Sequence, residues 1–327
     1  MISVSGYNYT GSSAVIDFLK EYEETSIVKP EIAFVYLPDG IVDLDYHINY
    51  SASYFNGDAA IERYWNLCKK SSIPNEYRKE FLNISKAYLT SLEEEKWKGS
   101  SSFEGTRKEG VSYGVWYLKK LIKNIIWHFF HKAISINERT MYLAYRNENF
   151  YTITRQYLDK LIKIFSNGNK LPVFNQFISA FQPELCLKYF SDGKAIVVDR
   201  DPRDIYILGK IKHETSCYPS SDPQKFVKWY KTCWKDCKKE NSDNVLYLQF
   251  EDLIYNYEET KRTIERFLGI SMHVHKKEYF KPEVSINNTQ LKHRFPNMKR
   301  EIEYIENELR DYLYPFTEFE PNTKDFF

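Results

Sequence analysis

The opening stretch MISVSGYNYTGSSAVIDFL constrains the fold more than any other. A short β-prone run at 2–5 passes through a glycine-bounded loop, Gly6 to Gly11, directly into an amphipathic segment at 12–21. Val15, Ile16, Phe18 and Leu19 share one face of that segment, which reads as a helix with Ser12 or Ser13 as its N-cap. The alternation continues down the chain. Apolar runs at 32–37, 171–174, 195–199 and 245–250 read as strands, the first ending at the turn Pro38-Asp39-Gly40. Helical periodicity appears at 152–165, 225–238 and 257–268, the last closed by Gly269. Residues 58–98 read as charged helix with a break at 72–74, and 99–114 as a polar loop. Strands that alternate with helices from end to end bury a parallel sheet between helical layers. The expected fold class is therefore α/β, a three-layer parallel sheet with helices on both faces. No Pro/Gly/Ser-rich linker divides the 327 residues, so one domain, 1–327, is expected.

Gly6 to Ser13, GYNYTGSS, has the spacing of a phosphate-binding loop, G-x-x-x-x-G-K-[ST], with Ser12 in the lysine position. A strand, a glycine loop and a helix start let backbone N–H groups and the positive helix end surround an anion. Gly6, Gly11, Ser12 and Ser13 supply the glycines and small hydroxyls that such a cradle needs. The lysine is required where the β and γ phosphates of ATP are neutralised beside magnesium, so its absence argues against an ordinary NTPase or kinase.

A second anchor is AIVVDRDPRDIYI at 195–207, a buried run that ends in a charged turn. Pro202 stops the strand, and Asp204 is expected to cap the next element. Arg200 and Arg203 then stand at the carboxyl end of a parallel strand, where open α/β sheets bind ligands, and guanidinium forks match phosphate oxygens. The alternative is a surface ion network of Asp199, Arg200, Asp201, Arg203 and Asp204.

With 46 basic and 45 acidic residues the chain has no broad positive field to draw nucleic acid, so an anion must be held by a local cluster. Cys68, Cys186, Cys217, Cys233 and Cys237 form no close-set disulfide framework, and reduced thiols in a cytoplasm are expected. Cys233 and Cys237 with His273 and His275 match no zinc spacing, so no metal is expected. The opening residues lack a basic n-region and a cleavage site, and no run of apolar residues is long enough to span a bilayer. Residues 115–133, VWYLKKLIKNIIWHFFHKA, carry Leu118, Leu121, Ile122, Ile125, Ile126 and Phe129 at helical spacing, with Lys119, Lys120, Lys123 and Lys132 mostly on other faces. A core helix with a solvated basic side is the expectation. The alternative is a lid or membrane-surface helix.

Both anchors resemble those of the PAPS-dependent sulfotransferases. The family's opening loop runs close to G-x-P-[RK]-[ST]-G-[ST]-[ST] and cradles the 5′-phosphosulfate of the donor; Gly6, Thr10, Gly11, Ser12 and Ser13 match, while Asn8 replaces the proline and Tyr9 the basic residue. The family's R-[DN]-P-[RK]-D motif is matched in full by Arg200-Asp201-Pro202-Arg203-Asp204, and its first arginine holds the 3′-phosphate. A serine eight positions later usually shares that phosphate, but Leu208 stands there. The stretch 246–270 is similar to the family's strand, [YF]-E-D-L turn and helix, here through Phe250, Glu251, Asp252 and Leu253. The stretch 285–309 resembles the segment that closes over the donor, which makes Asn288, Lys292 and Arg294 candidate phosphate contacts.

The resemblance implies a P-loop-like sulfotransferase fold that uses PAPS, releases PAP and sulfates an alcohol. Tyr9, Thr10, Gly11, Ser12 and Ser13 would hold the 5′ end and Arg200 the 3′-phosphate. KPEIAFVYL resembles the family members whose base is a glutamate, which points to Glu31, flanked by Lys29 and partly enclosed by Ile32 and Phe34 so that its pKa rises. His47, after the acidic turn 43–45, is the rival base. The stretch 41–169 is expected to form a helical insertion that builds the acceptor pocket, for a sterol, lipid or other apolar alcohol, or a cell-surface glycan. Two other readings remain at this level: a P-loop small-molecule kinase, and a non-catalytic PAP-binding relative, the latter motivated by Tyr9 and Leu208.

Overall fold

The computed structural model describes the whole chain except residues 101–104, 106–107, 133, 135–137, 167–169, 213–216, 236, 238–239 and 317–327. The chain begins with β1 (Ile2–Gly6), α1 (Ser12–Leu19) and β2 (Thr25–Ile27). A largely helical stretch comes next: α2 (Ile41–Asp45), a π-helical turn at Tyr46–Tyr50, α3 (Tyr54–Lys70), α4 (Asn75–Leu92), β3 (Glu95–Gly99), α5 (Gly110–Phe130), β4 (Arg139–Leu143) and α6 (Phe150–Phe165). The chain then returns to the sheet with β5 (Leu171–Asn175), α7 (Pro183–Leu187), β6 (Lys194–Asp199), α8 (Pro202–Ile211), α9 (Pro223–Trp234) and β7 (Val245–Gln249). It ends with α10 (Asp252–Tyr255), α11 (Tyr257–Leu268), α12 (Pro282–Ser285) and α13 (Lys299–Glu308).

Five strands form a parallel sheet in the order β2-β5-β1-β6-β7. Its strands are apolar on both sides, as a parallel sheet covered on both faces requires. Ile2, Val4, Val173, Ile196, Val198, Leu246 and Leu248 pack on one side with Val15, Phe18 and Leu19 of α1 and Tyr257, Ile264 and Leu268 of α11. Phe174, Ala195, Val197 and Val245 belong to the opposite core, with Ile205 and Ile207 of α8, Phe226 and Tyr230 of α9 and the buried side chains of α3, α4 and α6. The α/β fold class with helices on both faces is thus the observed one. Because all five strands run the same way, their carboxyl ends share one edge, and the loops after β1, β2, β5, β6 and β7 meet there.

Several local expectations are corrected. The run 32–37 is not a strand: Tyr36 N–H donates to the Ala33 carbonyl at 3.2 Å and Ile41 N–H to that of Phe34 at 3.1 Å, so the backbone turns on itself. Ile32, Phe34 and Val35 are buried in the helical-side core, and Thr25–Ile27 takes the edge of the sheet. A short apolar run cannot announce whether a sheet or helices will cover it. The helical reading of 58–98 runs too far, since Glu95–Gly99 pairs antiparallel with Arg139–Leu143. Helix α5 is also no core helix, because none of its residues is buried. The loop expected at 99–114 falls partly, at 101–104 and 106–107, outside the described residues, as do Ala133 at the end of one expected helix and 236 and 238 near the end of another. No helix among the described residues is long and apolar enough to cross a membrane.

Candidate active site

The loop after β1 is held in shape from inside. Thr10 is buried, and its hydroxyl accepts the Tyr7 N–H at 3.0 Å. A Cβ at position 6 would lie 2.3 Å from that hydroxyl oxygen, which is why glycine stands there. Asn8, Tyr9 and Gly11 all adopt left-handed backbone, with φ of 69°, 55° and 90°. A proline, fixed near φ of about −65°, has no place at position 8 in such a loop, so the departure at Asn8 matches the local conformation. Gly11, and not Ser12 or Ser13 as expected, is the N-cap of α1, and no side chain caps it. The Ala14 N–H donates to the Gly11 carbonyl at 3.0 Å, and no side chain caps the N–H groups before it.

Gln176, which carries no motif in the sequence, braces this loop. It lies just past β5, and its side chain accepts the Gly6 N–H at 3.4 Å and donates to the Ser12 hydroxyl at 3.5 Å. A polar residue just beyond the carboxyl end of a parallel strand was the available signal.

Arg200 joins the loop to the far side of the edge. Its Nη1 donates to the Tyr9 carbonyl at 3.0 Å, its Nη2 donates to the Asn288 carbonyl, and its guanidinium carbon lies 4.7 Å above the Phe250 ring. The side chain is 4% exposed, and its Nε has no acceptor among the described residues. Phe250 also meets the loop, since a Cβ on Gly11 would fall 2.4 Å from its ring. Tyr9, Gly11, Ser13, Arg200, Phe250 and Asn288 all line one cleft of about 280 Å³.

The charged turn after β6 is no surface network, because Asp199, Arg200, Asp201, Arg203 and Asp204 are all buried. The cap of α8 is Asp201, whose carboxylate accepts the Arg203 N–H at 2.9 Å and also the Arg203 Nη2 at 2.6 Å. Asp204 reaches instead to the closing segment, where it accepts the N–H groups of Gln290 at 3.0 Å and Leu291 at 2.8 Å. The motif therefore fixes both Arg200 and the strand of chain that carries Asn288. Desolvation pushes the Asp204 carboxyl up to about 6, against the pull of Arg200 toward the charged form. Burial, reinforced by the charge of Asp201, drives the Glu251 carboxyl well above the usual carboxylate range. One Glu251 oxygen accepts the Asp201 N–H at 2.9 Å.

Other expected contacts lie elsewhere. Lys292 pairs with Glu306 at 2.7 Å, and Arg294 donates to the Asn287 side chain at 3.3 Å; neither lines the cleft. Glu31 is exposed, so the expected enclosure by Ile32 and Phe34 is not found. Its charge is felt at Tyr36, whose phenol is pushed up to about 12, chiefly by burial. His47 sits half-buried in the π-helical turn, with Nδ1 lacking a partner among the described residues, and burial and Arg63 lower its pKa. Neither candidate base lines the cleft. Lys212, one helical turn beyond Leu208, lines the cleft with it and adds a second cation that no motif had marked. Tyr279 and Phe280 form another wall, where both their N–H groups donate to the buried carboxylate of Glu21 at 3.1 and 3.0 Å. Glu21 lies 2.6 Å from His273 Nε2 through its other oxygen. Among the described residues no group of three or more His, Cys, Asp or Glu could hold a metal ion.

No protein-family model matches the chain, and neither does any curated protein. The chain is similar in fold to solved sulfotransferases. The sulfotransferase domain of the Synechococcus PCC 7002 olefin synthase is 10% identical at a TM-score of 0.38, with 86% of this chain and 76% of that one covered. A sulfotransferase from Mycobacterium avium is 10% identical at 0.37, with 97% and 76% covered. One from Alicyclobacillus acidocaldarius is 10% identical at 0.35, with 94% and 95% covered. Likenesses this distant leave the function to be read from the residues of the cleft.

Proposed function

We propose that the chain is a sulfotransferase that moves the sulfuryl group of PAPS to an acceptor hydroxyl and releases PAP. The observation that carries this reading is the contact between Arg200 and the Tyr9 carbonyl: it brings the amino-terminal loop and the motif arginine into one cleft. The cleft fits a bisphosphorylated nucleotide at both ends. The start of α1, which no side chain caps, and the Ser13 hydroxyl suit the 5′ end, with Ser12 beside them, and Arg200 with Lys212 suits the 3′-phosphate. Lys212 would compensate for Leu208, which replaces the family's serine. Phe250, Tyr279 and Phe280 offer flat apolar surface for the base.

In the transfer, the acceptor oxygen bonds to sulfur as the bond from sulfur to the bridging oxygen of the donor breaks, and the acceptor's proton passes to a base. Charge on the sulfonate and bridging oxygens is met by the helix start and the Tyr9 hydroxyl, preorganised dipoles that need no reorientation. Glu31 is the assigned base. It follows β2, which stands two strands from β1 in the sheet order. The stretch 41–169 is assigned to the acceptor, a sterol, lipid, other apolar alcohol or cell-surface glycan.

Calorimetry with PAP and with ATP tests the donor, and radiolabelled PAPS offered with a panel of sterols, lipids and glycans tests the transfer. The reading expects PAP binding, no ATP binding, and label in an acceptor. Glu31→Gln should leave PAP binding intact and slow transfer by about 100-fold; near-normal turnover would move the base to His47. Absence of PAP binding would overturn the proposal, and PAP binding without transfer to any acceptor would leave a non-catalytic relative.

A further inference from the structure

Helix α5 contributes no residue to the lining of the cleft. Its 21 residues, GVSYGVWYLKKLIKNIIWHFF, would extend about 31 Å, and not one of them is buried. Val111, Val115, Leu118, Ile122, Ile125 and Phe129 recur at alternating four- and three-residue steps, which makes a continuous stripe along one side. These side chains are 85%, 49%, 58%, 41%, 54% and 71% exposed. Isolated exposed apolar residues need no explanation, but a stripe of this length does.

The charge of the segment selects what covers the stripe. Helix α5 contains no Asp or Glu, while Lys119, Lys120 and Lys123 stand on its other side. Between Lys108 and Lys132 the chain carries five lysines and one glutamate, a local excess of +4 in a protein whose net charge is +1. Trp116 and Trp127 flank the lysines, and the Lys120 ammonium lies 5.2 Å from the Trp116 ring. Two copies of α5 packed on their stripes would leave the lysines unmatched on the outer sides, and a helix without Asp or Glu supplies none of the opposite charges that pair helices along a seam. A transmembrane position is equally excluded, because three ammonium groups would fall in the middle of the span. An apolar stripe opposite a side on which lysines and tryptophans stand together instead suits a helix that lies in the plane of an anionic bilayer surface.

We infer that α5 is an interfacial anchor that docks the protein on anionic membrane. The stripe enters the acyl boundary, and the lysines meet lipid phosphates. This inference does not depend on the nucleotide chemistry.

Flotation of the full chain with phosphatidylcholine vesicles, with and without phosphatidylglycerol, tests it. Binding should be at least about tenfold stronger on the anionic vesicles and should weaken at high salt. Leu118→Glu with Ile122→Glu should abolish binding, and reversal of Lys119, Lys120 and Lys123 to Glu should reduce it on the order of 100-fold. Unchanged thermal unfolding of both variants, whose altered side chains are exposed, would confirm that the loss belongs to the surface. Equal binding to neutral and anionic vesicles, or full binding by the charge-reversed variant, would overturn the inference. So would a wild-type protein that ignores vesicles but forms dimers lost in the Leu118→Glu, Ile122→Glu variant, since that places a second copy on the stripe.

Discussion

Replacement of Arg200 by alanine should damage stability and nucleotide binding together, and the geometry gives the size of each loss. The wild-type side chain donates to two backbone carbonyls, on Tyr9 and Asn288, and lies over the Phe250 ring. A hydrogen bond from a charged donor contributes about 1.5–3 kcal/mol, and a desolvated cation–π contact about 2 kcal/mol. Water that enters from the cleft would recover part of this, because it can satisfy the two carbonyls. The net loss of folding stability should be about 3–5 kcal/mol, the range for removal of one partner from a buried charge cluster. Arg200→Lys separates the two roles. Lysine keeps the charge but not the fork, so it should recover roughly half of the stability while PAP binding stays weakened by about 10- to 100-fold. Urea unfolding followed by far-UV circular dichroism measures the first quantity, and calorimetry with PAP the second. A stability change below about 0.5 kcal/mol in Arg200→Ala, the scale of an ordinary surface substitution, would refute the clasp. PAP affinity unchanged in Arg200→Lys would remove the guanidinium from the binding site.

Three further substitutions probe the same edge. Asn8→Pro cannot reach φ of 69°, so it should lower stability by about 3 kcal/mol and impair PAP binding, whereas Asn8→Gly should be neutral or slightly stabilising in thermal unfolding. The Asp204 carboxyl sits at about 6 when folded and near 3.9 when unfolded, so the folded state holds the proton more tightly; its contribution is full below pH ~4 and is lost as pH rises to about 6. Relative to Asp204→Asn, wild type should therefore lose stability across that window in urea titrations, and parallel pH profiles would contradict the assignment. Glu251→Gln should leave PAP affinity within about threefold, because burial favours the protonated form of the wild-type carboxyl; affinity raised tenfold or more would reveal an ionised Glu251 that had been repelling the anion.

The parts of this molecule that were legible in the sequence are those whose local chemistry has one solution. Gly269, at φ of 71°, closes α11 where a left-handed residue was required. The strands at 171–175, 194–199 and 245–249 had to be buried on both faces, and their apolar runs said so. Legibility failed where the partner is distant in sequence. The run at 32–37 is apolar in either a sheet or a helical core, and only the arrival of 25–27 at the edge of β5 decides between them. Asp204 was the expected cap of α8, and Asp201 takes that place. Which one caps depends on Gln290 and Leu291, roughly ninety residues away, which claim Asp204. The contacts of Lys292 with Glu306 and of Arg294 with Asn287 could likewise not be seen in the sequence. The stripe of α5 has the same periodicity as a core helix, and periodicity carries no information about what lies opposite.

The charge balance around Arg200 explains how an acidic turn can serve an anion. Asp199, Asp201, Asp204 and Glu251 are buried beside Arg200 and Arg203, and six full charges there would leave a net negative edge. Asp201 is matched by Arg203, which also holds Glu306. Asp199 accepts hydrogen bonds from the Arg200 N–H and the Trp234 indole. The remaining two carboxyls are the ones that burial pushes upward, Asp204 to about 6 and Glu251 further. Desolvation thus disfavours the charged form of both carboxyls, although Asp204 at about 6 is still largely ionised at neutral pH. With Nε unpartnered among the described residues and only one N–H on each terminal nitrogen engaged by a carbonyl, Arg200 retains donors for an incoming anion. The burial that makes the turn costly to fold is therefore the same property that weakens the carboxylate charge beside its arginine.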